Sequence, residues 1–304
     1  MNRQRLRLIA ILAGAPPAAG LALAALAPTG WFVAQLASHW APHLAVLALP
    51  LWCAAGRRTV VGAACLALYA AALWPHLAAA HTGTAPPPRS PAHTAVSANL
   101  YIACPDHAPA LAVVTASEPD LLLLIETRAE DRAAMRDDPR WPHQSWQTPR
   151  TVGGIGLLSR WPMRAKAVAL AGATAIDARI DTPDGALRVI GLHTWSPVGS
   201  TRNATNAAQL LELAGLVETE PGPLLVLGDL NATPSTPGLR RLHAAGLHPP
   251  SGGEVRTWPS WLGPAGIAID HVLARHLALG GAEAIDLPGS DHHAIRAGFS
   301  LIGK

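Results

Sequence analysis

Two polar residues follow an apolar run in the segment LLVLGDLNATP, which spans residues 224–234. Asp229 and Asn231 are two positions apart, so their side chains point to the same face wherever the chain is extended. A carboxylate beside an amide can form half of a site for a hard cation or a phosphate group. Gly-Asp and Asn-Ala also occur in ordinary turns, so this segment alone leaves a purely structural role open.

Other side chains that could bind a metal ion or transfer a proton stand at or near the ends of apolar runs. They are Asn99, Glu126 in LIETR, His193 in IGLHTW, Asp270 in AIDHVL, and Asp291 and His292 in GSDHHAI. Each has an ordinary alternative, such as a turn, a solvated strand end or a structural histidine. Several polar residues clustered where apolar strands stop are nevertheless typical of an active site at the edge of a sheet.

The elements that would position these residues are short apolar strands with helices between them. Strands are predicted at 96–103, 121–126, 155–159, 175–181, 187–193, 224–229, 269–274 and 293–299. Helical periodicity covers 108–117, 129–136, 205–219 and 237–245. This order predicts an α/β fold in which two sheets pack together with helices outside.

The first 80 residues differ in composition from the rest of the chain. They hold five of the 23 Lys and Arg residues and no acidic residue, so 18 basic and 20 acidic residues remain in 81–304. This balance argues against a cationic surface for a nucleic-acid backbone, although a local basic patch stays open.

Three apolar stretches in this region are each about long enough to cross a bilayer core of roughly 30 Å. They are Leu8–Leu26, Trp31–Trp52 and Val60–Leu77. The arginines within residues 3–7 and 57–58 would stay in the cytoplasm, which places everything after residue 80 outside. A cleaved signal peptide in place of the first span, or a buried helical hairpin, remains an alternative.

The sequence therefore divides into three parts. Residues 1–80 are predicted to be a transmembrane region of about three helices, and residues 81–95, HTGTAPPPRSPAHTA, a Pro-rich linker. Residues 96–304 are predicted to form the catalytic domain, because roughly 210 residues suffice for one hydrophobic core. Cys104 is the only cysteine after residue 80, so this domain is expected to be stable without an internal disulfide.

Taken in order, the motifs resemble those of the endonuclease/exonuclease/phosphatase superfamily. They are Asn99, IETR, GGIGLLSRWPM, GLHT, GDLNATPST, IDHVLA and SDHHAI, and they cover essentially all of residues 96–300. The resemblance implies a four-layer α/β sandwich, with two packed mixed sheets flanked by helices, and cleavage of phosphate esters that depends on Mg²⁺, with Mn²⁺ as an alternative. The whole arrangement is similar to that of the membrane-anchored bacterial branch of this superfamily.

The resemblance also implies roles for the carboxylates and amides. Glu126 corresponds to the principal metal-binding carboxylate, with Asn99 beside it and Asp291 as a further metal- or water-linked carboxylate. Asp229 and Asn231 correspond to the pair that handles the nucleophilic water and the phosphate oxygens. Mg²⁺ prefers oxygen ligands and keeps several waters, so one or two carboxylates would be enough to hold it.

Two histidines are expected to act on the phosphate. His193 corresponds to a histidine that contacts the phosphate, and His292 to one that Asp270 orients. A histidine paired with a carboxylate has a raised pKa, so His292 is expected to be a cation that stabilises the phosphoryl oxygens.

The substrate is less well determined, and three functions stay open. The favoured one is a multi-pass protein of the cell (inner) membrane whose extracytoplasmic domain hydrolyses a lipid-linked phosphate, such as a polyprenyl diphosphate or a phospholipid headgroup. Its partners would be the lipid bilayer and the phosphorylated lipid, with Trp195, Trp258 and Trp261 available to line a tail or stack on a base. The alternatives are an extracellular or periplasmic nuclease, with nucleic acid the less favoured partner, and a non-catalytic scaffold.

Overall fold

The structure is a computed structural model that describes residues 3–26, 31–55, 60, 62–64, 66–68, 70–71, 74, 92–148 and 153–301. Three helices come first, namely α1 (Arg3–Leu26), α2 (Phe32–His39) and α3 (Ala41–Ala55). The part described from residue 92 onward is an α/β domain in which strands and helices alternate irregularly.

The helices of this domain are α4 (Ala108–Ala116), α5 (Ala129–Met135), α6 (Ser200–Glu218) and α7 (Pro237–Ala244), with a 3-10 helix at Ser260–Ala265. Its strands are β1 (His93–Asn99), β2 (Leu121–Thr127), β3 (His143–Gln147), β4 (Gly154–Ser159), β5 (Met163–Leu170), β6 (Ala173–Thr182), β7 (Gly185–His193), β8 (Leu224–Asp229), β9 (Asp270–Arg275), β10 (Leu277–Asp286) and β11 (His293–Leu301).

The strands form two mixed sheets. One sheet has the order β10-β11-β1-β2-β4-β3 and the other has the order β5-β6-β7-β8-β9. Strands β1 and β2 are parallel, as are β7 and β8, whereas the other neighbours are antiparallel. The prediction of an α/β fold with two mixed sheets flanked by helices is confirmed.

The central strands are apolar along their whole length because both of their faces are buried. In β2, Leu123 packs into the core between the two sheets, whereas Leu124 packs against α4 and α5. In β8, Leu225 faces the same inter-sheet core, while Leu224 packs against α6 and α7. Helix, sheet, sheet and helix therefore form four successive layers.

Strand alternation also places Asp229 on the inner side. Leu225 and Leu227 of β8 both belong to the inter-sheet core, and Asp229 is the next residue of the same parity. The carboxylate thus emerges between the two sheets, at the point where apolar packing ends.

Several strands differ from the sequence prediction. Strands β3, β5 and β10 are absent from the sequence prediction. Strand β3 is only half-buried, and β10 carries two glycines at a shift of register between Leu279 and Ala282. Strand β1 begins at His93, inside the predicted linker, and ends at Asn99. Residues 81–91 lie outside the described residues, so the division into three parts stays a prediction.

The prediction of three transmembrane helices is wrong for the part of the chain that can be compared. Within the described residues, one helix is long and apolar enough to cross a membrane, at Gln4–Ala24 of α1. The predicted second span is not one straight helix, because the chain bends by 84° between Phe32–His39 and Ala41–Leu51. Much of the predicted third span, Val60–Leu77, lies outside the described residues.

The bend between α2 and α3 lies against the α/β domain. Trp40 stands at the junction with φ −101° and ψ 12°, a non-helical conformation that ends α2. Nearby, His39 is buried and His43 Nε2 lies 2.7 Å from the carbonyl oxygen of Ala265, in the α/β domain. The bend therefore docks on the domain instead of continuing as a straight apolar helix.

We expect Gly228→Ala to destabilise the fold strongly. Gly228 has φ +153°, and a Cβ there would lie 2.0 Å from the carbonyl oxygen of Leu192 on the paired strand β7. Forcing β7 and β8 apart should lower the free energy of unfolding by about 3 kcal/mol or more. The measurement is the thermal unfolding midpoint of the full chain in detergent, monitored by circular dichroism.

The matched control is Gly281→Ala in the exposed part of β10, where an added Cβ would meet no atom within 4 Å. That variant should stay within about 0.5 kcal/mol of the parent. Equal midpoints for the two variants would contradict the proposed clash.

Candidate active site

The predicted polar residues converge at one edge of the molecule, where the two sheets meet. The parallel pairs β1–β2 and β7–β8 bring four carboxyl-terminal strand ends together, and β9 and β11 run antiparallel and begin at the same edge. The residues collected in this way are Asn99, Glu126, His193, Asp229, Asn231, Asp270, Asp291 and His292. All eight sequence-predicted site residues therefore lie in one neighbourhood.

Glu126 occupies an irregular position in β2. Its φ is +60°, and the pairing of β2 with β4 shifts register between Ile125 and Thr127. A left-handed conformation is strained for a residue with a side chain and persists where the surroundings stabilise it. Here Glu126 Oε2 accepts a 2.7 Å hydrogen bond from the backbone N–H of Ile102, which holds the carboxylate toward the site.

Asn99 links the two sheets through its side-chain amide. Its Nδ2 donates to Glu126 Oε1 and to Asp229 Oδ2, each at 3.1 Å. Its Oδ1 accepts the N–H of Tyr101 at 3.0 Å. Asn99 therefore presents donors, not an oxygen, to the two carboxylates, and the geometry favours a positioning role over the predicted role as a metal ligand.

Asp229 and Asn231 stay close, although the chain is not extended between them. Strand β8 ends at Asp229, and Asn231 has φ +46°. The N–H of Asn231 donates to Asp229 Oδ1 at 2.9 Å, and its side-chain Nδ2 donates to the carbonyl oxygen of Thr194 at 3.0 Å. The assumption of extended backbone was wrong, but both side chains still line the cleft described below.

Burial raises the pKa of Asp229 to about 8, and the neighbouring Asp270 carboxylate adds to the rise. His292 and the hydrogen bonds from Asn231 and Asn99 oppose this shift without cancelling it. The surrounding protein groups alone therefore do not fully stabilise the ionised carboxylate of Asp229 near neutral pH. A metal cation would supply positive charge and displace the proton.

His292 is held by Asp270. The His292 Nδ1 and Asp270 Oδ2 atoms are 2.8 Å apart, and both side chains are buried. Burial works to lower the pKa of His292, but Asp270, followed by Asp229 and Asp291, outweighs it and raises the pKa to about 10. His292 is therefore a cation at neutral pH, with Nε2 directed at Asp229 Oδ2 from 3.9 Å.

His193, unlike His292, is neutral. Its Nε2 lies 3.6 Å from Asp229 Oδ2 and 3.8 Å from Glu126 Oε1. Burial lowers the pKa of His193, and Glu126 opposes that shift only partly. The site therefore combines a neutral histidine with a cationic one.

Asp291 is positioned by a tryptophan. Its Oδ2 accepts a 3.0 Å hydrogen bond from Trp258 Nε1, which the sequence indicated only as a lining residue. Its Oδ1 lies 3.9 Å from His292 Nε2 and has no hydrogen-bond partner within the described part of the chain. Asp291 thus has one free oxygen at the site.

The donor set fits a hard divalent cation. Glu126, Asp229 and Asp291 supply carboxylate oxygens, the ligands that Mg²⁺ and Mn²⁺ prefer. Asp229, Asp270 and His292 also place one ligand atom each within 4.8 Å of one another. That second set fits less well, because His292 shares a proton with Asp270 and has no lone pair to offer when it is a cation.

The cleft above these residues has a volume of about 340 Å³. One part of its wall was missed from the sequence, because Leu36 and Trp40 come from α2, a segment interpreted as a membrane span. No pattern in α2 indicated contact with the catalytic edge. Only the polar residues around the bend, His39 and His43, gave a weak signal.

Comparison with known proteins agrees with this geometry. The model of the Endonuclease/Exonuclease/phosphatase family matches residues 96–292, which is more than half of the chain. No curated protein matches the sequence significantly.

Solved structures share the fold at low identity. A family protein from Beutenbergia cavernae has a TM-score of 0.57 and 17% identity, over 69% of this chain and 71% of its own. The 3′ phosphatase NExo from Neisseria, bound to a product DNA hairpin, has a TM-score of 0.54 and 18% identity, over 69% and 100% of the two chains. Sphingomyelinase C from Streptomyces griseocarneus has a TM-score of 0.52 and 16% identity, over 69% and 99%.

These neighbours differ in what their names say they act on, and at such identities they show only the fold. The family match and the converged strand ends carry the assignment. The chain belongs to the endonuclease/exonuclease/phosphatase family, and it is a hydrolase of phosphate ester bonds in a family that depends on a divalent metal ion.

Proposed function

We propose that the chain is a membrane-anchored, Mg²⁺-dependent phosphoesterase that acts on a lipid-linked phosphate or diphosphate. The observation that carries this proposal is the composition of the catalytic cleft. Its floor is made of the carboxylates and histidines described above. Its walls are largely apolar, through Leu36, Trp40, Trp195, Val198, Trp258, Ile267 and Ile269. A phosphate head with an apolar tail complements both surfaces.

The contribution of α2 supports a lipid over a soluble ester. Leu36 and Trp40 belong to the apolar N-terminal region, and the bend that presents them is tied to the domain by His43 and Ala265. Val198, which also lines the cleft, is 64% exposed. A solvent-exposed aliphatic side chain beside a phosphate site is suited to contact with an acyl or prenyl chain.

In this proposal the chain's own residues divide the chemistry. Asp229 orients and deprotonates the attacking water, and Asn231 fixes Asp229 through its backbone N–H. His292, a cation held by Asp270, stabilises negative charge on the phosphoryl oxygens, and neutral His193 donates a hydrogen bond to the phosphate.

Glu126 and Asp291 would hold the Mg²⁺ ion. Asn99 orients Glu126 and Asp229 through the hydrogen bonds that its amide donates to both carboxylates. When bound, the ion would neutralise charge on a phosphate oxygen. An oxygen-rich donor set of this kind supports Mg²⁺ over softer metals.

The nuclease alternative lacks a specific observation in its favour. Nucleic-acid binding depends on several cationic contacts to phosphates. Among the described residues that line the cleft, Arg202 is the only arginine or lysine, and its guanidinium lies 5.4 Å from the ring centre of Trp195. The extracytoplasmic, inner-membrane location stays a prediction from the distribution of arginines, with α1 as the candidate anchor.

We expect the full chain in detergent to release phosphate from a polyprenyl diphosphate with Mg²⁺ and not with EDTA, and to leave plasmid DNA intact. Glu126→Ala should lower turnover by about 100-fold or more, because a metal-binding carboxylate is lost. Glu130→Gln, on an exposed face of α5, is the control and should keep parent activity. Nicked plasmid with intact lipid would favour the nuclease instead.

We expect Trp40→Ala to weaken binding of a long-chain lipid substrate without changing hydrolysis of a short, water-soluble phosphodiester. Loss of the apolar wall should raise KM for the lipid by about tenfold, the equivalent of roughly 1.4 kcal/mol. The control is Trp31→Ala, since Trp31 is 59% exposed and does not line the cleft. A parallel loss on both substrates would contradict a role for α2 in tail binding.

We expect Asp270→Asn to shift the alkaline limb of kcat/KM toward neutral pH. In the parent, His292 stays a cation until the pH rises through its raised pKa of about 10. Without the Asp270 carboxylate, burial lowers that pKa, so the cation is lost about one pH unit earlier or more. Asp286→Asn is the control, because Asp286 contacts His293 instead. Identical alkaline limbs would show that Asp270 does not set the charge of His292.

A further inference from the structure

A buried histidine that the proposed chemistry does not use lies close to the catalytic edge. His107 immediately precedes α4, and Asp131 lies in the first turn of α5. The His107 Nδ1 and Asp131 Oδ2 atoms are 2.8 Å apart, and the two side chains are only 1% and 5% exposed. Apolar residues in place of such a buried pair often leave a protein equally stable or more stable. Stability alone therefore explains this pair poorly.

The second ring nitrogen of His107 contacts the loop that follows β1. His107 Nε2 lies 3.0 Å from the carbonyl oxygen of Tyr101. A carbonyl oxygen can only accept, so Nε2 carries a hydrogen and donates it. The same carbonyl oxygen also accepts the N–H of Cys104 at 2.8 Å. Its two lone pairs are therefore both used, one within the loop and one by His107.

The peptide group between Tyr101 and Ile102 connects His107 to Glu126. Its carbonyl oxygen accepts from His107, and its N–H donates to Glu126 Oε2 at 2.7 Å. A hydrogen bond accepted by a peptide carbonyl polarises the N–H of the same peptide and strengthens the bond that this N–H donates. An uninterrupted chain of hydrogen bonds thus runs from Asp131 through His107 and one peptide group to Glu126.

The backbone at this peptide depends on contacts from other parts of the chain. Tyr101 has φ +62°, in the left-handed region that is strained for a residue with a side chain. Its N–H donates to Asn99 Oδ1, and its carbonyl oxygen accepts from His107. His107 therefore helps to hold a strained conformation that brings the N–H of Ile102 to Glu126.

The Glu126 carboxylate is fixed by hydrogen bonds to both of its oxygens and still has lone pairs for a cation. Oε1 accepts from Asn99 and Oε2 from Ile102, whereas an ionised carboxylate offers about four acceptor positions. Outer groups that orient a metal ligand typically change metal affinity by about 10–100-fold when they are removed. The affinity of the site for its cation should therefore depend on what holds the Ile102 N–H in place.

We propose that His107, held by Asp131, is a positioning residue for Glu126 and raises the affinity of the site for its divalent cation through the peptide between Tyr101 and Ile102. This inference rests on the proposed function, in which Glu126 holds the Mg²⁺ ion. His107 does not line the cleft, so it acts without touching the substrate. The identity of the phosphate ester does not enter.

A purely structural role for His107 is the competing interpretation. His107 would then stabilise the loop after β1, and its replacement would lower the free energy of unfolding without changing metal binding in the folded protein. The two interpretations differ in one measurable quantity, the dissociation constant of the metal ion.

The test is a titration of Mn²⁺ into the full chain in detergent after treatment with a chelator, with free Mn²⁺ measured by electron paramagnetic resonance. We expect His107→Leu to bind Mn²⁺ about tenfold more weakly than the parent protein. His107→Gln should restore most of the affinity, because its side-chain amide can still donate to the carbonyl oxygen of Tyr101. An equal loss in both variants would overturn the role of the donated hydrogen bond.

The matched control is His93→Leu. His93 Nε2 and Asp184 Oδ2 form a similar but less buried pair at 2.7 Å, and His93 begins β1 at the end opposite Asn99. This variant should bind Mn²⁺ as the parent does, even if its thermal midpoint falls. A loss of affinity equal to that of His107→Leu would show that the effect is not specific to His107.

The loop keeps other contacts when His107 is replaced. The Arg128 guanidinium donates to the carbonyl oxygens of Ile102, Cys104 and Pro105. If His107→Leu nevertheless fails to fold, Asp131→Asn serves in its place, because it removes the carboxylate that orients the ring. It should also weaken Mn²⁺ binding, and parent affinity in that variant would overturn the inference.

Glu126→Gln separates failure of this inference from failure of the proposed function. Parent affinity for Mn²⁺ in Glu126→Gln would show that Glu126 is not the metal ligand, and both would fall. Weak binding in Glu126→Gln together with parent affinity in folded His107→Leu would leave the proposed function standing and overturn the role of His107 alone.

Discussion

Burial of negative charge between two apolar sheets is the constraint on which the site depends. Asp229 and Asp270 are paired across β8 and β9, both nearly inaccessible to water. Two adjacent carboxylates in such a place are tolerated only with donors or cations beside them. The cationic His292 and the amide of Asn99 meet part of this need, and the remaining deficit makes the site receptive to a metal ion.

The sequence predicted the fold class well because the fold rests on burial. Runs such as Leu121–Ile125 are apolar on both faces, which only an internal strand between two layers explains. Edge elements were harder to predict, since β3 is only half-buried along its length and shows no clear alternation. The N-terminal region was misjudged for a related reason. An apolar helix needs apolar surroundings, which can be lipid or protein. Part of α2 lies against the catalytic domain, where Leu36 and Trp40 line the cleft.

The positions of the site residues were predictable, but their geometry was not. Chemistry-bearing residues stand at strand ends, and parallel strands bring their ends to one edge. The left-handed conformations of Glu126 and Asn231, however, arise from tertiary contacts with Ile102 and Thr194. The direction in which the Asn99 amide points likewise depends on Tyr101 and two distant carboxylates.

The bridge formed by Asn99 links the packing of the core to the dimensions of the site. Glu126 extends from one sheet and Asp229 from the other, and a single amide joins them. Their separation is therefore set by the thickness of the layer of side chains between the sheets, where Leu123 and Leu225 lie. That layer acts as a spacer of fixed width. The size of residues far from any substrate thus becomes a determinant of which cation and which phosphate fit between the two carboxylates.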